Sequence, residues 1–550
     1  MFFPNEGRQP SCDATLMAWN IWYSTECVLD FHSPLHTDLW LWPDGTSLGR
    51  HMLAPGFFPI GMAAKLVMGN SILYPFYAHR AAIFGSFVLL FALMYILLRR
   101  LSCLPVPAAI VSCAFSYSDF FMGHAHYINF LAMFLFPLAA LLLLRFCQTP
   151  SFWPMFLLAI TIAGSVYFTE MGAFGVVALV LLLAILLATQ RGREEVWRIL
   201  SATRFWWWMV SAATAVIIAA PFLWAYAHVR EVSLYESSRE LSASITGLFI
   251  PHRLFNPLIA DFIRSVSGLE YDGTLLCVWL GIVIPSLAAV SPLVLAKSIH
   301  MRLLWPLLTV AVIFLILSLG PDLTAGEMTY PDVLPYYSLS NIPPFASFRA
   351  PGRLVSVALF LMAIPAGLSL SRLSTRGRTG RGILAVCCGL VALESYVPDS
   401  HVARSELSGW SLRNVFATPS RDFVELVSTR CQPGACATLP PSFYDTAGVF
   451  AQLIHHQPVF AGCWMSRWSE RQQDAYIQFH ETYWYACHQQ DPAMLAVHLK
   501  ERGVKNVLLT KTDKLSDEFV SDLSDMINVI DAREYYTSEF EPFVHAIPQH

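Results

Sequence analysis

The sequence predicts an α-helical polytopic membrane protein, a bundle of about ten transmembrane helices, followed by a small α/β C-terminal extracytoplasmic domain. Three observations carry that expectation: a series of apolar spans, a charge asymmetry between the loops joining them, and a tail of soluble character after Pro398. The chain has 550 residues, 55% of them hydrophobic and 13% charged, and a mean hydropathy of +0.50. Soluble domains carry about 25% charged residues, so a wholly soluble fold is excluded. A net charge of -4 is too near zero to argue for nucleic acid as a partner.

The spans read Ala81–Leu98, Val106–Met122, Ile128–Leu144, Phe152–Phe168, Met171–Leu187, Phe205–Ala227, Leu275–Ala296, Leu303–Leu319, Leu354–Leu370 and Ile383–Val397. A helix crossing a hydrocarbon core of roughly 30 Å needs about 17–25 residues, and each span approaches or meets that length. Alternate loops hold Arg99 and Arg100, then Arg145, then Arg191, Arg193, Arg198 and Arg204, then Lys297 and Arg302, then Arg372, Arg376, Arg378 and Arg381. Short basic loops belong on the cytoplasmic side. Residues 1–80, Gly123–Tyr127, Thr169–Glu170, His228–Thr274, Gly320–Arg353 and everything after Pro398 then face outward, with both termini extracytoplasmic.

Three regions follow. Residues 1–80 form an outer segment with an interfacial helix: Met52–Met68 is apolar but broken by Pro55 and Pro59, and Trp19, Trp22, Trp40 and Trp42 suit the headgroup level. No apolar span precedes Asp13, which leaves either a short translocated tail or a first helix outside this chain. Residues 81–398 form the bundle, with outer loops at 228–274 and 320–353, the second rich in proline. Residues 399–550 read as a soluble extracytoplasmic α/β domain, with strands at Val449–Ile454 and Val504–Leu509 and helices at Pro492–Glu501 and Asp517–Met526. Among the outer cysteines, Cys431 and Cys436 would close a small disulfide loop or stay as free thiols.

The residues able to carry chemistry cluster on the outer side. Asp13 and Glu170 are acidic groups at the rim of the bundle, suited to act as a general base or to hold a cation; each also reads as a solvated turn carboxylate. Arg349 and Arg353, four apart around a Pro-Gly turn, suit bidentate grip on a phosphate, against a reading as interfacial snorkelling. His124-Ala-His126 with Asn129 crowds the turn after the second span, either as part of a metal site or as satisfied interface histidines. His32, His36, Asp38, Asp44 and His51 make a second polar cluster with the same two readings. The sequence holds no P-loop, no Rossmann glycine pattern after a strand, no His-Glu-x-x-His and no Gly-x-Ser-x-Gly.

The order of these features resembles the GT-C superfamily of membrane glycosyltransferases, and within it a bacterial polytopic subgroup. The matching stretches are Asp13 through Trp22, Tyr23 through His51 with Trp42-Pro-Asp-Gly45, Asn129 to Pro137, Phe168-Thr-Glu170, Ile250-Pro-His252, and Leu334-Pro-Tyr with Ser347-Phe-Arg-Ala-Pro-Gly-Arg353. In the tail they continue through Ala451-Gln-Leu-Ile-His-His-Gln-Pro-Val-Phe-Ala-Gly-Cys463, Ser466-Arg467 and Glu501-Arg-Gly-Val-Lys-Asn-Val-Leu-Leu509. The resemblance implies an inverting transferase. Asp13 would be its catalytic base, Glu170 a second acidic residue orienting the acceptor or a cation, and Arg349 and Arg353 the holders of the donor phosphate. His51, His126 and Asn129 would support the acceptor. It further implies a polyprenyl-phosphate-linked sugar donor, a glycan, lipid or protein acceptor, contact with membrane lipid, a location in the bacterial inner membrane, and a divalent cation as the one candidate cofactor.

Two other classes compete with an enzyme. A lipid-linked glycan transporter would call for an inverted repeat, a broken mid-membrane helix pair and buried ionisable groups, of which the sequence shows little. A non-catalytic envelope assembly protein would use the tail as a binding module.

Overall fold

The computed structural model describes residues 12–40, 45–48, 54–125, 127–169, 171–227, 238–239, 241–251, 257–267, 278–296, 301–325, 328–340, 342, 345, 348, 350–395, 421–439, 452–459, 470–510 and 515–533. His51, His126, Glu170 and Arg349 lie outside the described residues, as do parts of the 228–274 loop. Asp13 is described as a helix position without its side chain.

Apolar runs become helices throughout, because a buried backbone has to satisfy its own hydrogen bonds. In chain order these are α1 (Cys12–Leu29), α2 (Phe58–Met68), α3 (Tyr74–Arg100), α4 (Pro105–Ser116), α5 (Asp119–Gly123), α6 (Ile128–Leu131), α7 (Leu135–Gln148), α8 (Phe152–Gly164), α9 (Met171–Leu187), α10 (Gln190–Ser201), α11 (Phe205–Ala227), α12 (Val283–Val294), α13 (Met301–Ser318), α14 (Val355–Ser374) and α15 (Gly377–Glu394). In the tail β1 (Ala435–Leu439), α16 (Pro492–Glu501), β2 (Val504–Leu509), α17 (Asp517–Met526) and β3 (Asn528–Asp531) follow.

Each expected span meets helix, but fewer are long enough to cross a bilayer on their own. Among the described residues, five helices have the length and apolarity: Tyr74–Arg100, Pro105–Gly123, Ile128–Gln148, Phe205–Trp224 and Pro351–Ser374. α9 and α10 would make a sixth, bent by 114° at their junction. The expected basic loop at Arg191–Arg198 is thus a helix, not a loop. Thr189 caps it, accepting from Gly192 N at 3.0 Å. Its charges interleave with Val196, Trp197, Ile199 and Leu200, the composition of a helix lying along an interface. α8, α12 and Leu304–Ser318 are apolar but shorter.

The chain divides into two units. The second, Ile83–Pro221 with Ser233–His401, is organised around α14. Its apolar window is 94% buried, against 6% for the α11 window, so α14 is the hub and α11 an outer helix. α12, α13, α4 and α15 pack around the hub. Gly367 lets Leu98 approach closely: a Cβ there would meet Leu98 Cδ2 at 2.7 Å. Glu394 ends α15 by capping α12, accepting from Ile282 N at 2.5 Å and Val283 N at 3.1 Å, beside Gly281 at φ +74°.

The first unit, Met1–Ala82 with Phe222–Val232 and Val402–His550, joins the N-terminal segment to the tail. α1 is buried on every side in its middle, from Leu16 to Ile21. α2 lies against it at Gly61, where a Cβ would meet Thr25 Oγ1 at 2.0 Å and Ile21 Cγ2 at 2.9 Å. Glu26 binds Lys65 Nζ at 2.6 Å and accepts a hydrogen bond from the Tyr74 hydroxyl. α1 stops through a left-handed residue, Phe31 at φ 58°, with His32 N bonded to Cys27 O at 2.7 Å. Glycine is the usual choice there, and any other residue costs roughly 1–2 kcal/mol.

In the tail β1, β2 and β3 form a parallel sheet in that order. Asn506, fully buried, ties the strand ends together: Nδ2 donates to Gln432 O at 2.8 Å, while Oδ1 accepts from Gln432 N at 2.9 Å and from Asn528 Nδ2 at 2.8 Å. Asp491 and Ser516 cap α16 and α17. The strand expected at Val449–Ile454 is corrected: Gln452–His455 is helical. The side chain of Gln452 is bound to four partners, described below, and that tertiary anchoring outweighs a local β-branched pattern. Cys431 and Cys436 are free thiols, Cys436 buried within β1.

Candidate functional site

In the first unit the candidate base Asp13 is the second residue of α1, and the described contacts show what fixes that helix. Trp19, 0% exposed, donates Nε1–H to Gln452 Oε1 at 2.7 Å, and Trp40 donates to the same oxygen at 3.1 Å. Gln452 Nε2 donates to Leu39 O at 3.0 Å and to Gln457 O at 2.8 Å. The side-chain amide therefore uses both hydrogens and both acceptor directions. The Trp19 ring stacks on Trp40 at 4.1 Å and on Tyr23 at 4.8 Å. Gln452 lies inside the tail motif singled out above, yet only the fold reveals this role.

In the second unit the described residues show the neighbours of two candidate groups. The 320–353 loop is fastened by Tyr336, fully buried, whose hydroxyl donates to Phe348 O at 2.7 Å. Phe345 and Phe348 pack on Phe174 at 5.4 and 4.4 Å between ring centroids. Phe348 immediately precedes Arg349, and Phe174 comes four residues after Glu170. Phe348 is thus packed on α9, the helix that follows the candidate acid in the sequence.

Arg353 is 3% exposed and opens α14 from the short helical turn Pro351–Leu354. Its guanidinium stacks over Phe130 at 4.2 Å and lies 6.0 Å from the Tyr127 ring, a cation–π arrangement. The snorkelling reading is set aside, because snorkelling needs the charged head in water. Beside it, His124 donates Nδ1–H to Phe120 O at 2.7 Å. Burial, reinforced by the positive charge of Arg353, pushes the His124 pKa down to about 3, so the imidazole is neutral with Nε2 bare. That Nε2 is buried without a hydrogen-bond partner among the described residues. Asn129 Oδ1, on a residue 2% exposed, is in the same state. His124 is therefore a half-satisfied buried histidine, not the satisfied interface residue of the simpler reading. Two open acceptors beside a cation suit a hydroxyl-bearing guest or ordered water.

Among the described residues no group of three or more His, Cys, Asp and Glu side chains converges as metal ligands.

No curated protein matches the chain in sequence. Solved structures do match in fold. The oligosaccharyltransferase of Archaeoglobus fulgidus in its apo form superposes with a TM-score of 0.52 at 12% identity, over 92% of this chain and 66% of that one. The same protein in complex with Zn and sulfate gives a TM-score of 0.53 at 11% identity, over 92% of this chain and 65% of that one. This chain thus spans just under two thirds of the length of the oligosaccharyltransferase. At 11–12% identity the likeness is one of fold, and it agrees with the helical bundle expected from the sequence. The sequence itself matches the family described as a domain of unknown function, DUF6311, over residues 13–394, and the chain belongs to that family.

Proposed function

We propose that the protein is a membrane glycosyltransferase that moves one sugar from a polyprenyl-phosphate donor to a cell-envelope acceptor on the outer face of the bacterial inner membrane, with both termini on that face. The observation that carries this reading is the fold likeness to an oligosaccharyltransferase over 92% of the chain. In the reaction, the Asp13 carboxylate takes the proton of an acceptor hydroxyl as its oxygen attacks the anomeric carbon. The bond from that carbon to the phosphate oxygen breaks with inversion, and polyprenyl phosphate leaves with the electron pair.

Arg349 contacts the departing phosphate directly. Arg353, buried on Phe130, adds positive potential for the same phosphate. Glu170 orients the acceptor, and His51, His126 and Asn129 hydrogen-bond to it. Glu170 is also the group that would hold a divalent cation; it lies outside the described residues, and no step here is routed through a metal.

The test is sugar transfer by the full chain in lipid, with a panel of radiolabelled polyprenyl-phosphate sugars. Wild type transfers from one of them; Asp13→Asn lowers the rate about 10²–10⁴-fold at normal abundance. Arg349→Ala raises the KM for the donor. A transfer rate unchanged by Asp13→Asn would sink the assignment of the base, and silence with every donor would favour an envelope assembly role.

A further inference from the structure

In the second unit α10 forms a surface that the transfer chemistry leaves unused. It turns off α9 by 114°, and two of its arginines fasten it in that direction. Arg193 Nη1 donates to Leu187 O at 3.3 Å, and Arg198 Nη2 donates to Cys147 O at 3.4 Å. Leu187 ends α9 and Cys147 is the penultimate residue of α7, so both acceptors are carbonyls that a helix end leaves open. α10 is therefore strapped across the ends of two apolar helices, on the side that the basic residues mark as cytoplasmic.

The strap leaves apolar side chains in the open. No residue of α10 is buried; Val196 and Ile199 are half-buried, while Trp197 is 71% and Leu200 43% exposed. Indoles from the neighbouring helices lie at the same end of the bundle. Trp206, at the start of α11, packs on Phe152 at 5.1 Å, and Trp153, next to Phe152 at the start of α8, is 66% exposed. Trp208 packs on Phe146 of α7 at 6.1 Å. Exposed indoles gathered at the ends of apolar helices suit the headgroup level of a bilayer, where one edge of the ring is wet and the rest is not.

Charge decides which headgroups fit. Between Leu187 and Phe205 the chain has four arginines and two glutamates. Arg198 is taken by Glu195, with Nε donating to Oε2 at 3.1 Å. Arg191, in the first turn of α10, and Arg204, just before α11, are exposed and hold no ion pair among the described residues; Arg145, in the last turn of α7, is in the same state. A guanidinium fork matches phosphate oxygens, and arginines at a membrane boundary are drawn to anionic lipid. We propose that α10 docks on anionic phospholipid headgroups, with Trp197 and Leu200 entering the acyl boundary and Arg191 and Arg204 holding the phosphates. This contact stands apart from the transfer reading, since α10 carries none of the residues assigned there.

The experiment is lipid retention by the full chain, taken from nanodiscs of equal phosphatidylglycerol and phosphatidylcholine into mild detergent, with the bound lipids counted by mass spectrometry. Wild type retains phosphatidylglycerol about tenfold over phosphatidylcholine, and Arg191→Gln with Arg204→Gln removes most of that preference. The melting profile stays unchanged, since both positions are exposed. The control is Arg376→Gln with Arg378→Gln, which takes the same charge from exposed positions on the connection from α14 into α15 and keeps the preference. Trp197→Ser lowers retention of both lipids together. Equal retention of the two lipids by wild type overturns the anionic ligand and leaves α10 as a face for a protein partner. An equal loss in the control pair overturns the site in favour of a diffuse charge effect. Unchanged retention in Trp197→Ser overturns the insertion of the apolar face. No sugar donor is present, so failure of the transfer assay and failure here are separate results.

Discussion

Gln452 and the His124–Asn129 turn bury comparable polar groups, and the two regions treat them differently. Around Gln452 every side-chain donor and acceptor is matched, to Trp19, Trp40, Leu39 and Gln457. Beside Arg353, His124 Nε2 and Asn129 Oδ1 are left open among the described residues. A satisfied buried network rigidifies a fold, whereas an open one costs stability and persists where a guest completes it. The first region thus acts as scaffold for the helix that carries Asp13, and the second is, on the function proposed above, part of the acceptor surface.

That contrast is open to direct test. Gln452→Leu strands two buried indole donors, at about 1–3 kcal/mol each, so denaturant unfolding should show a loss of about 2–6 kcal/mol. A variant of unchanged stability but lost transfer would reverse the assignment of this region. Asn129→Ala should behave the opposite way, with stability altered by less than about 1 kcal/mol and transfer lowered about 10–100-fold, a loss of one or two hydrogen bonds to the acceptor. A large drop in melting temperature with normal transfer would instead make Asn129 scaffold.

Gly61→Ala sharpens the scaffold side. Its Cβ meets Thr25 Oγ1, itself bonded to Ile21 O at 2.6 Å, and thermal unfolding should report a cost of about 1–3 kcal/mol from the forced separation of α1 and α2.

The last test is the pH response of His124, a gradual effect rather than an all-or-none one. Its folded pKa of about 3 lies below the ordinary histidine value of 6.5, so between those values the unfolded state binds the proton and the native state does not. Stability from this group is complete above about pH 6.5 and falls with acidification towards pH 3, by no more than about 1.4 kcal/mol per pH unit. His124→Phe should flatten that slope in urea melts, and an unaltered slope would mean the imidazole is not held neutral.

Legibility differed between the same regions. The tail elements Pro492–Glu501, Val504–Leu509 and Asp517–Met526 were readable from period and capping residues, because Asp491 and Ser516 are local signals beside the helices they start. Gln452 sits in a segment whose local pattern suggests a strand, and the basic residues after α9 suggest a loop where the chain forms α10. Arg353 was expected at an exposed mouth, yet it is buried on Phe130, more than two hundred residues earlier in the chain.

The sequence by itself determined which segments are helical and apolar, since 3.6-residue and length constraints act within a few turns of chain. It also carried the order of motifs that resembles the GT-C superfamily. Only the tertiary structure decided which polar groups are matched and which are open. The Trp19–Gln452 bond joins residues 433 apart and the Trp40–Gln452 bond residues 412 apart. No local propensity encodes such a pairing, because its energy exists only once the chain has paid the entropy of bringing those segments together.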